Sequence, residues 1–192
     1  MIEFLDKVDT SLFLFLNNLH APWLDTVMLS VSYNKYLFLG IIFFVSIYGV
    51  KYFKKWYLIA FLLCLVSFGL SDRISSGLFK PYFERLRPCH NPTLANQVHL
   101  AGQNCWGGKF GFVSSHASNS FAIAMFFWLL FRKKNRWFFL MFVYAGLVSY
   151  SRIYLAKHYP GDILFGALLG LATGYAGYKL FTLLRQRFAD QQ

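Results

Sequence analysis

Apolar residues in this chain are concentrated in long blocks, and this pattern restricts the fold more than any other feature of the sequence. Five such blocks begin at residues 37, 56, 120, 137 and 163, and they contain almost no charged side chain. A helix needs about 20 residues to cross the hydrocarbon core of a bilayer, and each block approaches this length with its flanks. The sequence therefore predicts an all-α fold, a polytopic bundle of transmembrane helices.

The composition agrees with a membrane location. The chain is 57% hydrophobic and 21% aromatic, and only 14% of its residues are charged. Soluble domains average about 45–50% apolar and about 25% charged residues, so an ordinary soluble domain is excluded. The bilayer is the expected partner of such a chain, and no nucleic acid partner is expected.

Residues 1–34 form the least regular part of the sequence. Apolar runs alternate there with acidic residues, including Asp6 and Asp9, and Pro22 interrupts the pattern. This mixture fits either a sixth, interrupted span or amphipathic helices on the membrane surface, so the bundle is expected to have five or six spans. Because no repeat or low-complexity segment is present, residues 1–192 are predicted to form a single domain.

Two short basic connectors indicate the orientation in the membrane. Residues 51–55 and 132–136 carry several cations and no acid, and they fall on one side if the five spans alternate. Such segments are typical of the cytoplasmic face. Segment 80–115 and connector 151–162 are then expected to face the periplasm or cell exterior.

The first polar cluster on that side is KPYFERLRP, residues 80–88. Lys80 and Arg87 are seven residues apart, and two helical turns would return both side chains to one face. Two cations on one face can bind an anion. The alternative is an ordinary interfacial anchor, in which long basic side chains extend from a helix end towards the headgroups.

The second cluster is GFVSSHASNS, residues 111–120, at the start of an apolar block. Ser114 or Ser115 can cap the helix, and the free N–H groups of its first turn then form an anion site. The alternative is a simple helix cap beside an interfacial histidine, His116.

The third cluster is SRIYLAKHYPGD, residues 151–162. Pro160 suits the first position of a helix, and Asp162 in the first turn can reach back towards His158, as a capping-box acid does. A carboxylate on one imidazole nitrogen leaves the other nitrogen as a base or nucleophile. The alternative is a capped interfacial helix with an unrelated histidine. Lys157 is expected to face solvent or headgroups.

The three clusters have a stronger meaning together than apart. They place three cations, two histidines, one acid and a helix N-terminus on the same side of the membrane. Interfacial anchoring does not require two histidines and a paired aspartate. Cations and N–H dipoles neutralise phosphate oxygens, while one histidine can attack and another can protonate the leaving oxygen. The combination therefore indicates a site for phosphoryl chemistry.

The order and spacing of these residues resemble a known family. Lys-x6-Arg-Pro, Ser-x-His and Ser-Arg-x5-His-x3-Asp occur at residues 80–88, 114–116 and 151–162. They are similar to the tripartite signature of the type 2 phosphatidic acid phosphatase superfamily, which includes the vanadium haloperoxidases. The second motif departs from the usual Pro-Ser-Gly-His, since Val113 replaces the proline and Ser115 the glycine.

The resemblance implies a bacterial membrane lipid phosphatase and a role for each motif residue. His158 would be the nucleophile that forms a phosphohistidine, Asp162 would hold its ring, and His116 would protonate the leaving group. No metal ion or cofactor is implied. The residues that would bind the phosphate are Lys80, Arg87, Ser114, Ser115 and Arg152.

Several lipid phosphates or pyrophosphates fit this resemblance. They are undecaprenyl pyrophosphate, which we place first, phosphatidylglycerophosphate, phosphatidic acid and lipid A phosphate. A small chain has few elements to recognise a headgroup, so a broad specificity is expected. The alternative is a non-catalytic membrane protein that binds or transports anions. Such a protein would have no use for the pairing of His158 with Asp162.

Four residues outside the motifs also carry expectations. Asp72 and Arg73 interrupt the second apolar block, and we expect a local pair that braces the cluster rather than a substrate contact. Cys89 and Cys105 lie in the segment predicted to be outside the cytoplasm, where a disulfide can form. The sequence leaves their pairing open, and their irregular spacing with nearby histidines argues against a metal site.

The last apolar block carries small residues at regular intervals. Gly166, Gly170 and Gly174 are four residues apart and form a helix face that another backbone can approach closely. A partner helix within the same bundle is the expected contact. A homodimer contact is the alternative, and the oligomeric state is left open.

Overall fold

The computed structural model describes residues 2–105 and 107–189, and this part of the chain contains eight α-helices. Its only strand-like feature is an isolated antiparallel bridge between Leu86 and Phe110. The predicted all-α fold is therefore confirmed. The helices are α1 (Ile2–Asn17), α2 (Pro22–Tyr33), α3 (Lys35–Phe53), α4 (Lys55–Ile74), α5 (Lys80–Phe83), α6 (Ser115–Phe131), α7 (Leu140–Tyr154) and α8 (Pro160–Ala189).

The five apolar blocks coincide with α3, α4, α6, α7 and α8. A π-helical turn at Ser75–Phe79 joins α4 to α5, so that one helical stretch runs over Lys55–Phe83. This stretch, Lys35–Phe53 and Pro160–Phe188 are each long and apolar enough to cross a membrane, whereas Ser115–Phe131 is apolar but shorter. The number of spans, five or six, stays a prediction.

Helices α6 and α8 pack against each other almost backbone to backbone. A Cβ atom built on Gly170 would lie 2.1 Å from the Ser118 carbonyl oxygen, and one on Gly174 would lie 2.3 Å from that of Ala122. Only glycine allows this approach, and Gly166 meets α6 in the same way. The predicted contact within the bundle is confirmed, and it places the start of α6 beside the start of α8.

Aromatic side chains fill the bundle at the end away from the motifs. The buried rings there belong to Tyr57, Phe126, Phe127, Phe131, Phe138 and Phe181. Many large apolar side chains are instead exposed on the outside of the helices, among them Phe43, Phe44 and Val66. An exposed apolar surface of this extent suits contact with lipid.

Helices α1 and α2 pack against the end of the bundle that carries the motifs, called here the site end. Phe13 lies edge-on to Tyr159, with ring centroids 5.4 Å apart. The buried side chain of Asn17 donates hydrogen bonds to the carbonyl oxygens of Ile153 and Tyr154. These contacts favour the surface-helix alternative for residues 1–34, since they tie α1 to the connector between α7 and α8.

The loop between α5 and α6 covers the site end. A disulfide joins Cys89 to Cys105, which answers the question that the sequence left open. The disulfide also removes the two thiolates that a metal site with His90 would need. The loop is further fixed by a hydrogen bond from the Cys89 N–H to the carbonyl oxygen of Ala156.

Candidate active site

His158 and Asp162 form a buried pair at the start of α8. His158 Nδ1 lies 3.3 Å from Asp162 Oδ2, and the two side chains are 2% and 0% exposed. The same carboxylate oxygen accepts a hydrogen bond of 3.0 Å from the N–H of Tyr159, the residue before the helix. The predicted capping-box geometry is therefore present, and it leaves the Nε2 atom of His158 as the nitrogen that can react.

Arg85 holds the other oxygen of this carboxylate. Its Nη1 lies 2.9 Å from Asp162 Oδ1 and 2.7 Å from Asp9 Oδ2, and its Nη2 lies 2.8 Å from Asp6 Oδ1. The sequence analysis missed Arg85. The available signals were its place in the first motif and two acids one helical turn apart in α1, but nothing in the sequence joins these two regions.

The Asp162 carboxylate is therefore held at both oxygens, by Arg85 at Oδ1 and by the Tyr159 N–H at Oδ2. Burial lowers the pKa of the Arg85 guanidinium, but the carboxylates of Asp162 and Asp9 outweigh this effect, and the pKa is raised. Arg85 also lies over the ring of Tyr159, with its guanidinium carbon 4.0 Å from the centroid. A permanently charged arginine with this many partners can set the position of the carboxylate that orients His158.

The predicted shared helical face of Lys80 and Arg87 is wrong. Helix α5 ends at Phe83, and Glu84 adopts a left-handed conformation with φ of 46°. Arg87 follows in extended backbone and is held by the bridge between the loop's two ends, where its Nε donates a 3.2 Å hydrogen bond to the Phe110 carbonyl oxygen. The two cations converge through this turn and not through helical periodicity.

Lys80 and Ser115 are in direct contact. Lys80 Nζ donates a 2.6 Å hydrogen bond to Ser115 Oγ, which also lies 2.9 Å from Ser75 Oγ. The hydroxyl that replaces the family's usual glycine therefore positions the ammonium group. Ser114 is buried and caps α6, since its Oγ accepts a 3.4 Å hydrogen bond from the N–H of Ala117.

Arg152 reaches the same site from the end of α7. It is 4% exposed, donates a short hydrogen bond to Ser32 Oγ, and lies 5.3 Å from the ring centroid of Tyr33. Its Nε is buried and has no hydrogen-bond partner in the described part of the chain. A guanidinium N–H left in this state can be satisfied by an anion.

Lys80, Arg87 and Arg152 share one electrostatic property. Within residues 2–105 and 107–189 none of the three forms an ion pair, whereas the neighbouring Arg85 forms three. Cations removed from water without an opposite charge are costly. Asp162 attracts Lys80 and Arg87 at longer range, and a bound anion would lower the cost of burying the three cations further.

These charges also act on His158. Burial lowers the pKa of its imidazole well below the ordinary value, and the charges of Arg152, Arg87 and Lys80 lower it further. His158 therefore stays neutral at physiological pH, which is the state that a nucleophile requires. The charges of all three cations therefore act on this ring.

His116 lies in the first turn of α6. It is exposed, and it lines a cavity of about 410 Å³ between α2, α3, α4, α6 and α7. The structure therefore brings every predicted site residue to the site end, and it separates an enclosed histidine, His158, from an accessible one.

Two further expectations are wrong. Lys157 does not face solvent, because it is 2% exposed and its Nζ donates a 3.3 Å hydrogen bond to the Asn104 carbonyl oxygen. Burial, with Arg152 and Arg87 nearby, lowers the pKa of Lys157 to about 8. Asp72 does not pair with Arg73 in the described structure, and its Oδ1 accepts a 3.0 Å hydrogen bond from Asn119 instead.

Comparisons with known proteins support the meaning of this geometry. The model of the PAP2 superfamily matches residues 56–186, which include all three motifs. The chain is 34% identical to a lipid A 4'-phosphatase of Bacteroides thetaiotaomicron, over all of this chain and 84% of the relative. It is also 34% identical to a lipid A 4'-phosphatase of Porphyromonas gingivalis, over 97% of this chain and 78% of the relative.

Solved structures show the same fold. A transmembrane PAP2-type phosphatidylglycerolphosphate phosphatase from Bacillus subtilis superimposes with a TM-score of 0.69 at 24% identity, over 95% of this chain and 87% of that chain. LpxE from Aquifex aeolicus superimposes with a TM-score of 0.64 at 25% identity, over 88% of this chain and 94% of that chain.

The chain therefore belongs to the PAP2 superfamily. Three findings agree: the family model matches most of the chain, the relatives align with nearly all of it, and the solved structure has the same fold. It is an integral membrane phosphatase, and the resemblance inferred from the three motifs is confirmed.

Proposed function

We propose that the protein hydrolyses a lipid phosphate monoester through a phosphohistidine intermediate on His158. The observation that carries this proposal is the group of three cations without ion pairs around a buried His158 and Asp162 pair. An anion with three accessible oxygens would complete this arrangement. Two relatives that align with nearly all of this chain are lipid A 4'-phosphatases. We therefore favour the 4'-phosphate of lipid A as substrate over undecaprenyl pyrophosphate.

Substrate binding is the first step. Lys80, Arg87 and Arg152 would neutralise the non-bridging oxygens of the phosphate, and Ser114, Ser115 and the N–H groups at the start of α6 would add hydrogen bonds. These cations supply the charge neutralisation that a metal ion supplies in other phosphoryl-transfer enzymes. That no metal ion or cofactor takes part remains a prediction.

Attack on the phosphorus is the second step. The Nε2 lone pair of His158 forms a P–N bond while the bond from phosphorus to the lipid oxygen breaks. Asp162 accepts a hydrogen bond from Nδ1–H and stabilises the charge that develops on the ring. Once the bound phosphate dianion offsets the three cations, a protonated His116 would donate its proton to the departing oxygen, so the leaving group departs as a neutral alcohol.

Hydrolysis of the phosphohistidine is the third step. His116, now neutral, accepts a proton from a water molecule that attacks the phosphorus. The P–N bond breaks, its electron pair returns to His158 Nε2, and inorganic phosphate leaves. His116 is accessible from the cavity, as both its acid and its base role require.

The location in the cell follows the charge pattern of the connectors. We propose that the site faces the periplasm or exterior of a bacterial cytoplasmic membrane, since the basic connectors 51–55 and 132–136 lie at the opposite end. The disulfide between Cys89 and Cys105 at the site end fits an oxidising compartment.

Phosphate release from purified protein tests the proposal. The substrates are lipid A 4'-phosphate, phosphatidylglycerophosphate, phosphatidic acid and undecaprenyl pyrophosphate, each in detergent without added metal. We expect release by the wild type and none by His158→Ala. No release from any lipid would refute the proposal, and anion flux through vesicles that survives His158→Ala would support the transport alternative.

A further inference from the structure

The cavity beside His116 has a polar part and an apolar part. Ser32, Asp72, Ser115 and Asn119 line it at the site end, where α3 and α6 begin. Deeper in the bundle its walls are apolar, with Phe38, Ile41, Phe68, Ile123, Met141 and Val148. In the proposed mechanism His116 protonates the leaving oxygen, so the leaving group must occupy this cavity.

The polar part contains two hydrogen-bond acceptors that lack good donors. Asn119 donates its Nδ2 to Asp72 Oδ1, and its own Oδ1 is buried without a partner in the described residues. Within residues 2–105 and 107–189, the Ser76 hydroxyl, at 3.5 Å, is the one hydrogen-bond donor to the other Asp72 oxygen. Asn119 lies three residues after His116 on the same face of α6, so these acceptors adjoin the proton donor.

We propose that Asn119 and Asp72 recognise a neutral leaving group that carries hydroxyl or amide N–H donors, such as a sugar or glycerol. The inference rests on the proposed function and specifies its substrate class. A donor from the substrate would satisfy the buried Asn119 oxygen, whose solvation is otherwise lost.

The same pair disfavours an anionic leaving group. Cleavage of a lipid pyrophosphate would place a second phosphate in this cavity, next to the Asp72 carboxylate. Lys35 is the one lysine or arginine among the described lining residues, and its Nζ lies 5.4 Å from the ring centroid of Tyr36, which does not line the cavity. His116 loses its positive charge when it protonates the leaving oxygen in the proposed mechanism. A phosphomonoester of a hydroxyl-bearing lipid therefore suits the cavity better than a pyrophosphate.

Three substrates separate these features of the leaving group. Lipid A 4'-phosphate leaves a sugar with further donors, farnesyl phosphate leaves an alcohol without them, and undecaprenyl pyrophosphate leaves an anion. The quantity measured is the ratio of kcat/KM between two substrates, because a general loss of folded protein cancels in a ratio.

We expect Asn119→Leu to lower the ratio of lipid A 4'-phosphate to farnesyl phosphate about tenfold, the size of one hydrogen bond. We expect Asp72→Asn, which keeps the shape of the side chain, to raise the ratio of undecaprenyl pyrophosphate to lipid A 4'-phosphate about tenfold. A relative gain of this kind cannot arise from poor folding. Asn96→Leu, in the exposed part of the loop, is the matched control and should change neither ratio.

Unchanged ratios in both variants, with phosphate still released, would overturn this inference and leave the proposed function intact. A fall by the same factor on all three substrates would also overturn it. No phosphate release by the wild type would instead refute the proposed function, and the inference with it.

Discussion

The two histidines of the site lie in opposite surroundings. His158 is 2% exposed and its orienting carboxylate is 0% exposed, with Arg85 and the Tyr159 N–H fixing both carboxylate oxygens. His116 is exposed to a cavity of about 410 Å³. Attack needs a single geometry, whereas the leaving group is large and must enter and depart. In the proposed mechanism, a rigidly held nucleophile and an accessible acid meet these two demands.

The largest effect is expected at His158, the enclosed histidine. His158→Ala removes the nucleophile, and we expect kcat to fall at least about 10⁴-fold for every substrate, whatever its leaving group. Binding of inorganic phosphate, measured as product inhibition of residual activity or directly by calorimetry, should persist because the cations remain. Retention of substantial turnover would show that another group attacks.

His116→Ala tests the accessible histidine, and its effect on kcat should depend on the leaving group. We expect kcat to fall about 10³-fold for a lipid phosphate, the usual size of general acid catalysis. The fall should be clearly smaller for p-nitrophenyl phosphate, because p-nitrophenolate leaves without a proton. Equal losses on both substrates would contradict the assignment of His116 as the acid.

Arg85 and Arg87 allow a comparison of positioning with phosphate binding within one loop. Arg85→Gln should lower kcat about 100-fold with little change in the inhibition constant of inorganic phosphate, because Arg85 contacts Asp162 and faces α1. Arg87→Gln should weaken phosphate inhibition. If Arg85→Gln weakens phosphate inhibition as strongly as Arg87→Gln does, Arg85 binds the substrate rather than positioning Asp162.

The smallest of these effects concerns the backbone around the His158 and Asp162 pair. A Cβ on Gly111 would lie 2.9 Å from Asp162 Oδ2 and 3.5 Å from His158 Nδ1, so Gly111→Ala should displace the pair and lower kcat about tenfold. Gly108→Ala is the matched control, since its Cβ would lie 3.9 Å from its nearest neighbour, Arg87. Similar kinetics in the two variants would show that the pair tolerates movement.

The sequence predicted those parts of the molecule that depend on local or periodic patterns. The five apolar blocks gave the helices, because burial in hydrocarbon requires long runs. The His158 and Asp162 contact was also predictable, since four residues at a helix start bring two side chains together. The spacing of Gly166, Gly170 and Gly174 likewise predicted close helix packing.

The parts that the sequence did not predict depend on long-range contacts. Arg85 contacts Asp6 and Asp9, which lie 79 and 76 positions before it in the sequence, and no periodicity connects them. Helical spacing failed for Lys80 and Arg87 because Glu84 turns left-handed and ends the helix. The burial of Lys157 likewise arises from a loop that folds over the site end from a distant part of the chain.

Trapping the covalent intermediate tests the central claim most directly. The wild type is mixed with a lipid substrate that carries a radiolabelled phosphate, quenched rapidly in base, and digested for identification of the labelled peptide. The mechanism predicts an acid-labile, base-stable phosphoryl group on the peptide that contains His158, absent in His158→Ala. Turnover without any labelled peptide, or a label on another residue, would contradict it.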